Sequence, residues 1–482
     1  MSRSRMVLLL GILFGPATVF AAEPAAPRSS DIFVTERAVS GVRCRTGGPE
    51  HEALTAAVPA ASVRPIGSAA AGDHLRSSVG ANVILRGTPQ LESFPEARLA
   101  FQRAAARWQE IIQTPITVYI DVDFGPTRFG TPFPGPDTIG ATSVDLRVTS
   151  YPVVRSALVA SLPGSVVYNS LPLGSVPTDI GQITDVVAPS ATYRALGILP
   201  ATAAPNDPAP SIGFNSAFDF DFDPSDGIGA GKTDFDAVAV HEIGHVLGFN
   251  SRVGQQEVAP GSPTSVSIWD LFRFRPGVTL GTFGTQQRIM IPGGEHIFFE
   301  GTGTLPLSTA APNGAGGDGR TASHWKDDAL SLFYIGIMDP TLVEDERKAV
   351  SYFDLVALFW MGYAIGPAAV PPTLVSLEPA QAPASAGTLT IAVFGFDFAF
   401  GASALWRGAL REAQFISPGE VRVHLEPGDL RDVGPVAVEI LNPGSIPSST
   451  LYFTVGPGNG GGPCERGEEC DPRRPRLIGP RG

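Results

Sequence analysis

Between Ala97 and Ile111 the apolar residues Ala97, Phe101, Ala104, Ala105, Trp108 and Ile111 recur at steps of three and four, the repeat of one helix face. Ser93-Phe94-Pro95-Glu96 precedes them and reads as a capping box, with Ser93 as N-cap and Pro95 in the first turn. A helix is therefore expected from this box to about Ile112. On either side the period drops to two. Val83, Ile84 and Leu85 predict a short strand, and Ile116, Val118, Ile120 and Val122 alternate with polar residues as a half-buried strand does. Residues 22–78 are rich in Ala, Pro, Ser and Arg and keep no period, so they are expected to be a pro-region or flexible N-terminal segment, with compact structure starting near Val79. From about Gly125 to Pro210 the pattern is that of loops, and strand character returns from Ser211 to Phe222.

The next element is apolar on most sides. Ala237, Val238, Val240, Ile243, Val246 and Leu247 predict a buried helix, capped by Thr233 or Asp234 and closed by Gly248. Ser351-Tyr352-Phe353-Asp354 predicts a further capped helix through Leu355, Leu358 and Phe359 to Gly362. Residues 367–372 form a Pro/Ala linker. After it, short strands at Leu389–Phe394, Ala404–Trp406, Val421–Leu425 and Val436–Leu441 alternate with Gly/Pro/Asn turns, which predicts a small β-sandwich over 373–456. The expected class is thus an α+β domain over 79–366 followed by an all-β sandwich, with a disordered glycine-rich tail at 457–482.

Arg3, Arg5, the apolar run Met6–Phe14 and the small residues to Ala22 read as a signal peptide over residues 1–21, so the chain is expected to be secreted, extracellular or periplasmic. No later stretch is long enough to span a membrane. Three cysteines, Cys44, Cys464 and Cys470, are too few for a disulfide framework, although the last two could close a small loop. A formal net charge of -13 argues against nucleic acid as a partner.

The buried helix carries the chemistry. His241-Glu242-Ile-Gly-His245 puts two imidazoles one turn apart on one face, where they can hold one Zn²⁺, and Glu242 beside them can act as a general base. Buried histidines and a buried glutamate without partners would be costly, and a metal removes that cost. The competing reading is a chance motif on an amphipathic helix. Alternating Asp219, Asp221, Asp223 and Asp226 could bind Ca²⁺, but Pro224 stands where an EF-hand loop needs glycine, so a solvated strand face entering a turn is the simpler reading. A third zinc ligand must come from elsewhere: of the seven histidines, His51 and His74 lie in the N-terminal segment and His424 in the later domain, leaving His296, His324 or the carboxylate of Asp270.

With Gly248 three residues after His245, the helix resembles the start of the metzincin signature, whose final histidine is replaced here by Ser251. Gly336-Ile337-Met338-Asp339-Pro340 is similar to the metzincin Met-turn, and Ser323-His324-Trp325 stands shortly before it. That order resembles leishmanolysin-like metzincins, in which a long insertion separates the helix glycine from the third histidine. The resemblance is confined mainly to these two segments. It implies His324 as the third ligand, Met338 beneath the site and a metzincin-like fold for 79–366. It also gives Cys44, in Val42-Arg43-Cys44-Arg45, a similarity to the cysteine switch of some metzincin pro-peptides; the alternative is a free or oxidised thiol. Val375-Ser-Leu-Glu-Pro379, Val393-Phe-Gly395-Phe-Asp-Phe398 and Asn442-Pro443-Gly444 resemble an IPT/TIG immunoglobulin-like domain, which implies a spacer or a module for binding a surface or polymer. The expected function is a zinc endopeptidase acting on proteins or peptides. The alternative is a secreted adhesin with a structural or inactive zinc domain.

Overall fold

The computed structural model describes residues 26–27, 31–38, 41–67 and 80–457, apart from short breaks at 224–225, 256–263, 302, 311–316, 332, 367–370, 399–401, 418 and 443–446. The expected signal peptide, most of the linker, and the tail with Cys464 and Cys470 lie outside the described residues. The chain is mixed α+β, with many strands and few helices.

In chain order the elements that build the site are β1 (Asp31–Ala38), β2 (Gly41–Thr46), β3 (Arg64–Pro65), β4 (Asn82–Gly87), α1 (Pro95–Ile111), β5 (Thr117–Gly125), β6 (Thr138–Val144), β7 (Ser211–Asn215), α2 (Phe235–Leu247), β8 (Thr341–Leu342) and α3 (Tyr352–Trp360). The strands form one sheet in the order β8-β2-β1-β6-β7-β5-β4-β3. Strands β4, β5 and β7 run parallel; the remaining pairings are antiparallel.

The first finding is a correction. Residues 31–65 are not a flexible lead. They supply β1 and β2, which sit between β6 and β8, and β3, which lies at the opposite end of the sheet. Ile32, Val34 and Leu54 pack with Ala141 on one face, and Phe33 and Cys44 with Val144 and Val187 on the other. Arg128 ties this segment down by donating to Leu54 O as well as to Ser211 O. With both faces of β1 covered, its residues show no polar–apolar alternation, so the periodicity that marks a half-exposed strand is missing.

Helix α1 lies against α2: Trp108 Nε1 donates to Val240 O at 3.0 Å, and the Arg103 guanidinium grips both oxygens of Asp236. Ser93 is not its N-cap. Leu91–Ser93 forms a 3-10 turn whose own backbone bonds satisfy that corner, Phe94 takes the cap position without a side-chain bond, and Pro95 starts the helix. Phe101, Phe124, Phe214, Phe220 and Phe235 pack edge-to-face between α1, α2 and the sheet, a geometry aromatic rings favour. The stretch expected to be loop also contains β6 and the helix Tyr151–Ser161; β6 is buried along its length and, apart from Ile139 and Val144 near its ends, is built from Thr, Gly, Ala and Ser, so neither period shows.

Beyond the linker, eight strands form an all-β unit in the order 373–378, 389–396, 420–425, 409–417, 403–406, 434–441, 451–456 and 381–383. Strands from both ends of that order share one apolar core, including Ile391, Val423, Val436, Ile440 and Phe453, so the sheet folds over on itself. No helix among the described residues is long and apolar enough to cross a membrane.

Candidate metal centre

Asp234 caps α2 by accepting from the backbone N–H groups of Asp236 and Ala237, as one of the two expected caps. The helix stops at Gly248, whose φ of 133° is open to glycine at little cost. The last carbonyl, Leu247 O, accepts from the Tyr363 hydroxyl at 2.7 Å and from Thr192 at 3.0 Å, which anchors the helix end to the residues following α3. His241 and His245 therefore project from a helix fixed at both ends.

The structure brings Cys44, His241, His245 and His324 together. All four are buried, and their ligand atoms lie within 4.8 Å of one another. His241 Nδ1 is 2.7 Å from Ile337 O and His245 Nδ1 is 2.7 Å from Phe249 O. A carbonyl can only accept, so both Nδ1 atoms carry the proton and both Nε2 atoms keep a lone pair. His324 Nδ1 contacts Thr321 Oγ1 at 2.7 Å and Thr321 O at 3.2 Å. Such hydrogen bonds on the far nitrogen orient imidazoles that ligate metals. Burial is the main cause that lowers all three histidines below their ordinary range, so they are neutral donors.

Two of the donor–donor spacings match those around a tetrahedral ion. Zn–N bonds of about 2.0–2.1 Å and a Zn–S bond of about 2.3 Å place ligand atoms roughly 3.3 to 3.6 Å apart. His241 Nε2 lies 3.2 Å from His324 Nε2, and Cys44 Sγ lies 3.5 Å from His245 Nε2. This buried Cys/His/His/His group could hold a metal ion. Burial first, then the Glu242 charge, pushes the Cys44 thiol well above its usual range; a cation at this spot would act in the opposite direction.

Glu242 is fully buried. Its Oε1 accepts from Thr35 Oγ1 at 2.5 Å, and its Oε2 makes no well-formed hydrogen bond among the described residues. A cavity of about 30 Å³, bordered by Glu242, His241, Thr35, Val42, Ile337 and Lys348, adjoins it. That is room for one or two water molecules. The Phe33 ring lies parallel to His245, with centroids 3.7 Å apart. Thr35 pairs with Cys44 across the β1–β2 hairpin, so one cross-strand pair reaches both Glu242 and the histidines.

The other candidates are placed elsewhere. Asp270 does not reach the cluster: its oxygens accept from Ser251 Oγ, Arg252 N, Ser267 Oγ and Arg273 Nε. His296 is held by Arg273 and Gly293 O, and burial together with the Arg273 charge lowers its pKa to about 3. Both oxygens of Asp221 accept from backbone N–H groups, of Asp223 and Gly229. Among Asp327, Asp328 and Asp339, a second acidic group, the Lys348 ammonium already stands 2.8 Å from Asp328 and 3.6 Å from Asp339.

Met338 lies under α2, where Gly244 makes room for it: a Cβ at Gly244 would come within 2.3 Å of the Met338 sulfur. Gly244→Ala gains roughly 1 kcal/mol of helix propensity but overpacks a buried contact, which typically costs about 1–3 kcal/mol. The expected net result is a lower urea midpoint with an unchanged slope. A midpoint at or above wild type would mean that the thioether moves aside freely.

Sequence reasoning missed Phe33, Thr35, Thr321 and Asp354. Asp354 was read only as a cap residue; its Oδ1 also accepts from Trp325 Nε1 and its Oδ2 from Ile337 N, joining the His324 segment to the Met338 turn. The one signal available for Phe33 and Thr35 is the β-branched and aromatic run Ile32–Thr35; Thr321 has none.

No family model matches this chain, and no curated protein matches it.

Proposed function

We propose that this protein is a secreted, zinc-dependent endopeptidase of metzincin type, acting on protein or peptide substrates and held latent by its own N-terminal hairpin. The observation that carries the reading is the convergence of His241, His245 and His324, from two distant segments, beside a buried carboxylate, one oxygen of which makes no well-formed hydrogen bond among the described residues. A metal site that serves only structure has no use for that carboxylate.

When bound, zinc supplies a Lewis acid that acidifies water and polarises a peptide carbonyl. The residues of the chain do the rest. Glu242 accepts the proton of the attacking water at a carboxylate oxygen and returns it to the amine nitrogen as the C–N bond breaks. Ile337 O, Phe249 O and Thr321 keep the imidazoles in register. Met338 fills the floor beneath α2 without touching substrate. In the latent form Cys44 takes the fourth donor position and Thr35 occupies Glu242, so β1, β2 and β3 belong to a pro-region in which Cys44 acts as the switch and not as a free thiol. The all-β unit at 373–456 carries no comparable cluster among the described residues and serves as a spacer or as a module for binding a surface or polymer.

One observation favours a second reading. Four protein donors make a closed shell, which is the habit of structural zinc sites. In that case the protein is a secreted adhesin or binding protein. The two readings separate in one experiment: zinc content is measured on the full chain, and casein cleavage is followed before and after limited proteolysis removes the N-terminal segment. Chelator-sensitive cleavage after trimming supports the endopeptidase. One bound zinc with no cleavage in either form would leave the structural reading standing.

A further inference from the structure

We propose that the buried ion pair Asp270–Arg273 is a positioning device for the third imidazole, His324. The proposal rests on the reading of His324 as a metal ligand. Ser251 is the point where it begins, because there the chain leaves the zinc helix without supplying a ligand of its own.

Both side chains of the pair are fully buried, with Arg273 Nε 3.0 Å from Asp270 Oδ1. Asp270 gathers the helix exit: Oδ1 accepts from Ser251 Oγ at 2.7 Å, and Oδ2 accepts from Arg252 N at 2.7 Å and Ser267 Oγ at 2.9 Å. Arg273 reaches the other way. It donates to Ala322 O, two residues before His324, and to Ser308 O at 3.1 Å. Its remaining contact is His296 Nδ1 at 3.0 Å, an acceptor because His296 Nε2 donates to Gly293 O. A second link closes the loop, since Ser251 N donates to Ser323 Oγ at 2.9 Å. Ser308 N in turn donates to His324 O at 3.2 Å, and Ser308 Oγ to Trp325 O at 2.6 Å.

The exit of the helix that carries His241 and His245 is thus joined to the segment that carries His324 by two routes, at Ser251 N and through this ion pair, in addition to the link by way of Asp354. A planar guanidinium in fixed hydrogen bonds sets angles as well as distances. Removing either charge leaves its partner buried and unpaired, which lets the Ala322–His324 segment drift relative to α2.

The test is a double-mutant cycle read as Zn²⁺ affinity of the full chain, by competition with a chromophoric chelator. Asp270→Asn is expected to weaken binding about 10-fold, the low end of the range for losing a ligand's own hydrogen-bond partner, because Asp270 acts on His324 through Arg273. In a His324→Ala background the same change is expected to alter affinity less than about two-fold, because no third imidazole remains to be positioned. An equal loss in both backgrounds, or no loss in either, overturns the proposal and leaves the ligand assignment intact. A His324→Ala chain that binds Zn²⁺ as tightly as wild type overturns both. Should Asp270→Asn not fold, Ser251→Ala removes one bond without exposing a charge. It is expected to cost about 2–10-fold, again only when His324 is present.

Discussion

Glu242→Ala is expected to hold as much zinc as the wild-type chain and, after the N-terminal segment is trimmed, to lose cleavage by at least about 10²–10⁴-fold, the range for a lost general acid–base group. Zinc retention follows from the geometry: the three histidine donors that remain after trimming are other residues, and their hydrogen bonds to Ile337 O, Phe249 O and Thr321 do not involve Glu242. The substitution also frees Thr35, whose hydroxyl loses its acceptor. The hairpin should therefore sit more loosely in the variant, so a fall in activity cannot be put down to deeper latency. Metal analysis and casein hydrolysis on the same trimmed sample check the result. A variant that cuts at the wild-type rate removes Glu242 from the mechanism.

The second large effect concerns the lock. Thr35→Val keeps the shape of the side chain and deletes its bond to the Glu242 carboxylate. Hydrogen bonds to charged groups contribute roughly 1.5–3 kcal/mol, so the ratio of closed to open hairpin should fall by about 10–150-fold. Cys44→Ala removes the fourth donor and acts in the same direction. Neither is expected to activate the full chain completely, because β1 remains laddered to β6 from Asp31↔Val144 to Glu36↔Thr138, and β2 to β8 at Arg43↔Thr341 and Val42↔Leu342. Full activity should need trimming. The measurement is the rate of peptide cleavage by untrimmed protein, normalised to the trimmed form. Variants no more active than untrimmed wild type would make the hairpin a permanent part of the fold instead of a lock.

How much of this could be read from the residues varied by element. Helices α2 and α3 were legible because their caps and their Gly exits are local signals, and Asp234, Ser351 and Gly248 take the positions expected of them. The β4–α1–β5 order was legible from its two periods. The hairpin was not: Ile32 to Thr35 are buried on both faces, and Ala, Pro and Arg around them resemble a linker. Strand β6 failed for the same reason. Cys44, His324 and Met338 were picked out by resemblance, and the structure places Cys44 and His324 in one cluster, with Met338 beneath the same helix. What no local pattern could supply was Thr35 on Glu242, since that contact exists only after the sheet is assembled.

The sheet order has a consequence for the time course of folding. In β2 and β8, residues near the start of the chain pair with residues that follow almost the whole first domain. Contacts that span so much sequence carry a high loop-closure cost and form late. During synthesis the hairpin must wait for the Met338 turn before its outer edge has a partner, while α1 and α2 can already pack. On the proposed reading, a metal ion would have an interval in which to reach the histidines before the thiol arrives, and a chain refolded in a chelator would take up metal more slowly afterwards.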